Sequence, residues 1–242
     1  NTSTIALGYL NGALELAARR AGLASLEPVI DVRPRVWYNP ELKSRNFIVP
    51  GLIAVIMAII AALLTSLTIA REWERGTMEQ LISTPVKPAE LVVGKLAPYF
   101  AIGIIDTVMS IVIVVALFGV PLKGSVLLLL FISSLFLFGG LSLGILLSIV
   151  TRSQLAASQV AVITSYLPAL LLSGFMFSIV NMPVPLQAIT YLIPARYFVS
   201  AIKGIFLKAN TAGMLLAEMG LLALFGAIVF TLALKRFKKK VA

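Results

Sequence analysis

The stretch Phe47–Ala70, FIVPGLIAVIMAIIAALLTSLTIA, contains 24 residues and no charged side chain. A helix needs about 20 residues to cross a hydrocarbon core about 30 Å thick, so this stretch is long enough to span a membrane. The alternation of period two that marks barrel strands is absent, which leaves helices as the spanning elements. Five apolar stretches of this kind occur in the chain: Phe47–Ala70, Leu96–Phe118, Val126–Val150, Gln159–Val180 and Met214–Leu234. The sequence therefore predicts an all-α polytopic membrane protein with five spans.

The composition excludes several classes of function. Hydrophobic residues make up 60% of the chain and charged residues 12%, with a net charge of +10. The basic residues stand at the ends of the apolar stretches and not in a stripe with aromatic residues, which argues against nucleic acid as a partner. Cysteine and histidine are both absent. Disulfides, thiolate metal sites and imidazole proton shuttles are therefore excluded, and we expect no metal site and no cofactor bound by this chain.

The sequence also argues against an enzyme. A phosphate-binding loop needs the pattern G-x-x-x-x-G-K-[ST], and the nearest match, Gly119–Ser125, has Ser125 where the lysine is required. That segment also follows a predicted transmembrane helix and not a strand. We therefore expect no catalytic residue in this chain.

Basic residues set the expected orientation. Lys and Arg are retained on the cytoplasmic side of a membrane. They concentrate after the first, third and fifth spans, which places the C-terminus in the cytoplasm and the residues before Phe47 outside. These residues are Arg71, Arg75, Lys87, Lys95, Arg152, Lys235, Arg236, Lys238, Lys239 and Lys240.

Residues 1–46 are expected to form the remnant of a small α+β extracytoplasmic domain, and residues 47–242 the transmembrane domain. The apolar spacing in Thr4–Gly22 predicts a helix, and the alternation in Val29–Tyr38 predicts an edge strand that contains Pro34. The alternative is an unfolded linker. Since the chain opens without a signal peptide, we also expect a further span upstream of an external N-terminal segment.

The loop Arg71–Lys95, REWERGTMEQLISTPVKPAELVVGK, holds much of the charge between the first two spans. Gly76 breaks the preceding helix, and Thr77–Ile82 can form a short second helix that ends at Thr84-Pro85. Pro88 then suits the first turn of the next span. One interpretation is an interfacial helix that anchors the loop in lipid headgroups. Because Glu74 and Glu79 are poorly placed against anionic lipid, we favour a protein partner.

Polar residues inside a span are functional candidates, because hydrocarbon is an expensive environment for them. Asp106 lies near the middle of the second span, followed by Thr107 and Ser110. These three residues either line a substrate path or are hydrogen-bonded against a neighbouring helix. Gly139 and Gly144 in the third span predict close helix packing.

Between the last two spans, the segment 181–207 contains Pro183, Pro185 and Pro194, which interrupt apolar stretches too short to cross. This pattern predicts a re-entrant pair of half-helices on the outer side. We expect Arg196 and Tyr197 to mark the outer membrane interface as a basic and an aromatic anchor.

Three motifs in order resemble the ABC-2 type export permeases, most closely the bacterial multidrug type. They are Glu74-Arg75-Gly76-Thr77-Met78-Glu79-Gln80-Leu81 closed by Thr84-Pro85-Val86, the segment from Trp37-Tyr38-Asn39-Pro40-Glu41 to Asn46-Phe47-Ile48-Val49-Pro50-Gly51, and Tyr191-Leu192-Ile193-Pro194-Ala195-Arg196-Tyr197-Phe198. The resemblance covers essentially the whole chain. It implies a half-transporter with six spans, an external domain between spans one and two, and function as a dimer in a bacterial inner membrane.

The resemblance also implies roles for these residues. The loop would be a coupling helix that docks on a separate ATP-binding subunit, which binds ATP and Mg²⁺. Leu81 and Ile82 would be apolar anchors, and Glu74 and Glu79 would form ion pairs with the ATP-binding subunit. The expected docking residues are Glu74, Arg75, Gly76, Thr77, Met78, Glu79, Leu81, Ile82, Thr84 and Pro85. An outer gate would comprise Pro183, Pro185, Pro194, Arg196 and Tyr197.

The expected function is export of a drug-like or hydrophobic substrate. The expected partners are the ATP-binding subunit, the lipid bilayer and a second permease subunit, which is either identical to this one or different. Whether an adaptor protein on the periplasmic side also takes part is left open. Two rival interpretations remain at this point, namely a secondary transporter and a membrane scaffold subunit that transports nothing.

Overall fold

The computed structural model describes residues 8–10, 12–14, 16–17, 20 and 43–237, with the backbone alone for residue 82. The chain divides into two compact units, Asn1–Lys43 and Ser44–Ala242, each of which is considered by itself. In the first unit the described residues 8–10, 12–14, 16–17 and 20 are helical, within the helix predicted for Thr4–Gly22. The strand predicted for Val29–Tyr38 lies outside the described residues.

The second unit is built from helices joined by turns and loops, and no strand occurs in its described part, 44–237. A π-helical turn, Val162–Tyr166, joins two of its helices, and 3₁₀ turns occupy Ile179–Asn181 and Ala212–Leu215. The α-helices are α1 Ser44–Glu74, α2 Met78–Ser83, α3 Pro88–Ala116, α4 Val126–Thr151, α5 Gln154–Ala161, α6 Leu167–Leu171, α7 Val184–Thr190, α8 Pro194–Lys208 and α9 Leu216–Arg236.

Five helical segments of the second unit are long and apolar enough to cross a membrane. They are α1, α3, α4, the continuous segment Gln154–Leu171, and Ala212–Arg236. The prediction of an all-α polytopic membrane protein is thereby confirmed for the described residues. We call the end of the bundle at which α1 and α4 finish the loop end, and the end at which they begin the far end.

Local chemistry explains why α3 and α4 begin where they do. The Glu90 carboxylate accepts a hydrogen bond of 2.9 Å from the Lys87 N–H, and Pro88 has no N–H to satisfy in the first turn. This cap starts α3 eight residues before the apolar stretch at Leu96. Similarly, the Ser125 hydroxyl accepts a hydrogen bond from the Leu128 N–H at 3.4 Å and caps α4.

The fourth predicted span, Gln159–Val180, is wrong at its outer end, because the helix finishes at Leu171. The Ser173 hydroxyl donates to the Ala169 carbonyl and accepts from the Phe175 N–H at 3.2 Å, so side-chain bonds replace the helical ladder there. Gly174 follows with φ +78°, a left-handed conformation that turns the chain. Hydropathy continues across this turn, which is why it did not mark the end.

Helix α4 lies in the centre of the bundle and packs closely against α1 and α9. A Cβ added at Gly144 would stand 2.0 Å from Thr65 Oγ1, and one at Gly139 would stand 3.6 Å from the Gly226 Cα. The Ser148 hydroxyl accepts hydrogen bonds from two N–H groups of α1, at 3.0 and 2.8 Å. Small residues thus bring the helix backbones together, as expected for helices that associate without a hydrophobic driving force.

Helices α7 and α8 form a hairpin that enters the bundle from the far end. Phe198 of α8 stacks on Phe136 of α4, with ring centroids 4.2 Å apart. Phe136 is ten residues from Val126, the far end of α4, which is about 15 Å at 1.5 Å per residue. At the other end of α8 the Phe206 carbonyl accepts a hydrogen bond of 3.1 Å from the Lys123 N–H, at the far end of the bundle. Helix α8 therefore rises from near the middle of the bundle to its rim.

The position of Arg196 and Tyr197 bears on the expectation that they mark the outer interface, which stays a prediction. Both residues belong to the first turn of α8 and precede Phe198, so they lie at least about 15 Å below the far end of α4. Two prolines mark the start of α7 and one opens α8, whereas the depth of the turn between the two helices follows from the Phe136–Phe198 stack. The sequence indicated a hairpin but not how far it reaches into the bundle.

Candidate functional site

The loop between α1 and α3 is held by a small polar network. Gly76, at φ +72°, turns the chain out of α1. The Lys95 ammonium donates to the Glu72 carboxylate at 2.6 Å, and the Thr77 hydroxyl donates to the same carboxylate. Glu72 lies beyond the uncharged part of α1. These two bonds hold the pKa of Glu72 below its usual range, and the bond from Lys95 contributes most.

A second set of contacts ties the loop end of α1 to the start of α5. The Glu74 carboxylate accepts hydrogen bonds from the Gln154 side-chain amide and, at 2.7 Å, from the Gln154 backbone N–H. These two bonds lower the pKa of Glu74. The Arg152 guanidinium lies 4.5 Å from the centroid of the Trp73 ring. Sequence reasoning missed Gln154, because its role arises from a contact across 80 positions of the chain.

The short helix α2 presents a defined surface. Met78 is 2% exposed and packs into the bundle core, against which the half-buried Leu81 also packs. Within residues 43–237, Glu79 makes no hydrogen bond or ion pair and is exposed. The exposed residues of the loop that we call the docking face are Glu79, Gln80, Ser83 and Pro85.

The predicted docking residues fall into two groups, those that hold the loop to its own chain and those left exposed. Glu74 is engaged by Gln154 of the same chain, and Met78 and Leu81 fasten α2 to its own bundle. Thr77 and Thr84 stabilise the loop, since the Thr84 hydroxyl donates to the Leu81 carbonyl at 2.6 Å. Arg75 and Gly76 are exposed at the turn, whereas the side chain of Ile82 lies outside the described residues. Glu79 and Pro85 are the predicted docking residues left on the docking face.

The three residues predicted to line a substrate path do not share one environment. Thr107 is 1% exposed, and its hydroxyl donates to the Gly103 carbonyl at 2.7 Å and lies 3.7 Å from the Met57 sulfur. It therefore packs α3 against α1. Asp106 and Ser110 are half-exposed, and within residues 43–237 neither makes a hydrogen bond through its side chain. The two share an outward face of α3 with apolar neighbours such as Ile102 and Met109.

The residues predicted to form an outer gate lie along the α7–α8 hairpin. Pro183 precedes α7, Pro185 lies in its first turn and Pro194 opens α8. Arg196 donates to the Thr190 hydroxyl, and its guanidinium lies 3.8 Å from the centroid of the Tyr191 ring. The Tyr197 hydroxyl donates to the Tyr191 carbonyl at 2.7 Å, which closes the turn.

An open apolar groove of about 560 Å³ runs beside this hairpin. It separates the end of α6 from the start of α7 and is lined by Leu167, Pro168, Leu171, Leu172, Phe177, Ser178, Asn181, Met182, Pro183 and Leu186. Among the described residues, no group of three carboxylate, thiol or imidazole side chains is arranged to hold a metal ion. The apolar lining of the groove suits binding of an apolar body.

Comparison with known proteins gives a consistent result. Residues 1–235 match the family described as ABC-2 family transporter protein. The chain is 44% identical over 233 residues to the probable multidrug ABC transporter permease YbhS of Escherichia coli K12, covering 95% of this chain and 62% of that protein. It is 32% identical over 207 residues to the probable multidrug ABC transporter permease YbhR of the same organism, covering 86% of this chain and 56% of that protein. The chain thus spans about three fifths of the length of these relatives.

Proposed function

The chain belongs to the ABC-2 family of transporter proteins, and from that membership we propose that it is the membrane-embedded part of a permease subunit in an ATP-driven exporter. A separate ATP-binding subunit binds ATP and Mg²⁺ and supplies the energy. The permease works as a dimer with a second permease subunit in a bacterial inner membrane. Its C-terminus and its loop end face the cytoplasm, in agreement with the distribution of Lys and Arg.

The observation that carries this proposal is the construction of the docking loop. The Glu72–Lys95 ion pair joins α1 to α3, and Glu74–Gln154 joins α1 to α5. A push on α2 is therefore transmitted to three predicted spans at once. The face turned away from the bundle carries Glu79, which is available to a basic residue of an ATP-binding subunit.

We further propose a hydrophobic, drug-like cargo. Two relatives carry names that describe them as probable multidrug permeases, and the open groove beside α7 has an apolar lining. Asp106 and Ser110 are retained as candidates for the substrate path, because a carboxylate is costly in lipid and favours a position that faces water or protein. The hairpin α7–α8 is the candidate outer gate. An adaptor protein on the periplasmic side stays a prediction from the resemblance.

The test is recovery of the ATP-binding subunit with the full-length permease. We expect an affinity pull-down of the wild-type permease to recover an ATPase, and Glu79→Arg to lose it, because the variant replaces the exposed acidic side chain of the docking face with a basic one. The matched control is Lys123→Glu, a charge reversal at an exposed position at the far end of the bundle, and it should recover the ATPase fully.

Two outcomes would contradict the proposal in different ways. Recovery of the ATPase with Glu79→Arg would retain the exporter and reject the docking face. Failure of the wild-type permease to recover any ATPase would favour the secondary transporter or the scaffold subunit. Transport driven by an ion gradient would then identify a secondary transporter, and the absence of such transport a scaffold subunit.

A further inference from the structure

Helix α8 carries a cationic stripe that the family membership and the docking loop leave unexplained. Arg196, Ser200 and Lys203 follow one another at spacings of four and three residues, which places them on one face of the helix. Buried apolar residues such as Phe198, Ile202 and Ile205 occupy the other faces. Because α8 rises from near the middle of the bundle to its far end, the stripe does so as well.

The two cations of the stripe have neutral partners. Arg196 contacts the Thr190 hydroxyl and the Tyr191 ring. The Lys203 ammonium donates to the Gly174 carbonyl at 3.0 Å and lies 3.5 Å from the centroid of the Phe47 ring. Within residues 43–237, no carboxylate lies within ion-pair distance of either cation.

One acidic group faces the stripe from a neighbouring helix. The Ser200 hydroxyl lies 3.4 Å from the Glu218 carboxylate of α9. With two cations and one carboxylate, the stripe keeps a net positive charge. Asp106 is on α3, which packs chiefly against α1 and α4 and makes a smaller contact with α9.

The tip of the hairpin is uncovered. Tyr191 is 62% exposed and Leu192 81% exposed, and Ser200 on the stripe is exposed as well. At membrane depth, turns and charged side chains are tolerated where they are buried in protein or line a water-filled cavity. A cationic lining of such a cavity favours anions.

The stripe also adjoins the apolar groove. Leu186 lines the groove, and Thr190, which contacts Arg196, follows four residues later on α7, about 6 Å along the helix. A single ligand with an apolar body in the groove and a negatively charged group at Arg196 would bind to both the groove and the stripe.

We propose that the Arg196–Ser200–Lys203 stripe of α8 binds the anionic group of an exported amphiphile, a carboxylate, sulfonate or phosphate, on its way to the outer side. This inference rests on the proposed export function and names the substrate class. The same anionic chemistry is present in the headgroups of acidic lipids, so the test must separate the two sources.

The absence of cysteine from this chain makes a direct test of the stripe feasible. Ser200→Cys is introduced into the full-length permease, which is reconstituted in phosphatidylcholine vesicles, with any cysteine elsewhere in the permease replaced by serine. The thiol is reacted with an anionic and a cationic methanethiosulfonate, sulfonatoethyl and trimethylammonioethyl. The ratio of the two rates is compared with that at Lys123→Cys, an exposed position off the stripe.

We expect the anionic reagent to be favoured at position 200 by about tenfold or more, the range expected for a cleft lined by one sign of charge. Arg196→Gln should remove most of this preference, Arg196→Lys should restore it, and Lys123→Gln should leave it unchanged. A Tm in detergent equal to that of the wild-type permease shows that each variant is folded. A thiol that reacts with neither reagent, or a rate ratio that Arg196→Gln does not change, would overturn the proposal.

A protection experiment identifies the anion. Anilinonaphthalene sulfonate and phenylnaphthylamine share one aromatic body and differ by the sulfonate. The sulfonate should slow labelling at position 200 and the neutral compound should not, whereas equal effects of the two, including none, would overturn the proposal. If labelling is slowed by phosphatidylglycerol in the vesicles and by neither compound, the site binds lipid headgroups, and the proposal that it binds an exported amphiphile is overturned. The labelling consumes no ATP, so failure of the export function would appear in the pull-down while the labelling ratio stays as expected.

Discussion

At the scale of a single residue, the stability of the loop depends on the protonation state of Glu72. Its pKa is lowered by Lys95 and Thr77, so its contribution to stability is present above the pKa of a glutamate in the unfolded chain, about 4.3, and is lost as the pH falls through the lower folded pKa. We expect Glu72→Gln to reduce the free energy of unfolding by up to about 1 kcal/mol at pH 7, as for a partly exposed ion pair. Thermal unfolding in detergent should show this difference unchanged from pH 7 to 5 and shrinking below about pH 4.3.

The control for this experiment is Glu79→Gln, since the Glu79 carboxylate makes no hydrogen bond or ion pair within residues 43–237. It should leave the Tm unchanged at both ends of the pH range. A difference between Glu72→Gln and wild type that grows on acidification would contradict the ion-pair interpretation.

Single residues also show where sequence reasoning reaches its limit. The pattern around Gly76 indicated a break and a short helix, and these are present. It could not indicate that Glu74 turns back to Gln154 or that Met78 packs inward, because both depend on helices far along the chain. A short amphipathic helix has one apolar face, and the sequence alone does not decide whether the bundle or a partner covers it.

At the scale of an element, the contact between α1 and α4 depends on Gly144. Its Cβ position is 2.0 Å from Thr65 Oγ1 and 2.6 Å from the Ala62 carbonyl oxygen, which belongs to the backbone and cannot rotate away. We expect Gly144→Ala to separate the helices and lower the free energy of unfolding by about 1–3 kcal/mol. Thermal unfolding in detergent measures this.

Gly220 provides the matched control, because it is also a helical glycine and an added Cβ there meets nothing within 4 Å. Gly220→Ala should be neutral or slightly stabilising, since alanine has the higher helix propensity. Equal losses in the two variants would contradict the close-packing argument.

The elements also show how far hydropathy predicts a membrane fold. The five spans could be predicted because an uncharged stretch of about 20 residues has few alternatives to a spanning helix. The end at Leu171 could not, since Ser173 and Gly174 stop the helix inside a continuous apolar stretch. The depth of α8 was equally hidden, because proline positions mark a hairpin and only the Phe136–Phe198 stack fixes where it ends.

At the scale of the whole molecule, the proposed orientation predicts a labelling pattern. Ser83→Cys lies at the loop end and Lys123→Cys at the far end. In intact bacterial cells that express the full-length permease, a membrane-impermeant maleimide should label position 123 and not position 83. Permeabilised cells should be labelled at both positions, which serves as the control for reactivity. The reverse pattern in intact cells would contradict a cytoplasmic loop end.

The π-helical turn Val162–Tyr166 has a consequence for how this chain can change its length. A π turn winds less per residue than an α-helix, so the helix accommodates one extra residue there without rotating the segment that follows. Loss of one residue from this turn would leave a regular helix whose start still meets Glu74 and whose final turn still presents the same side chains to the groove. A single-codon deletion is therefore expected to be tolerated at this turn, whereas the same deletion elsewhere in Gln154–Leu171 would rotate the lining of the groove by about 100°.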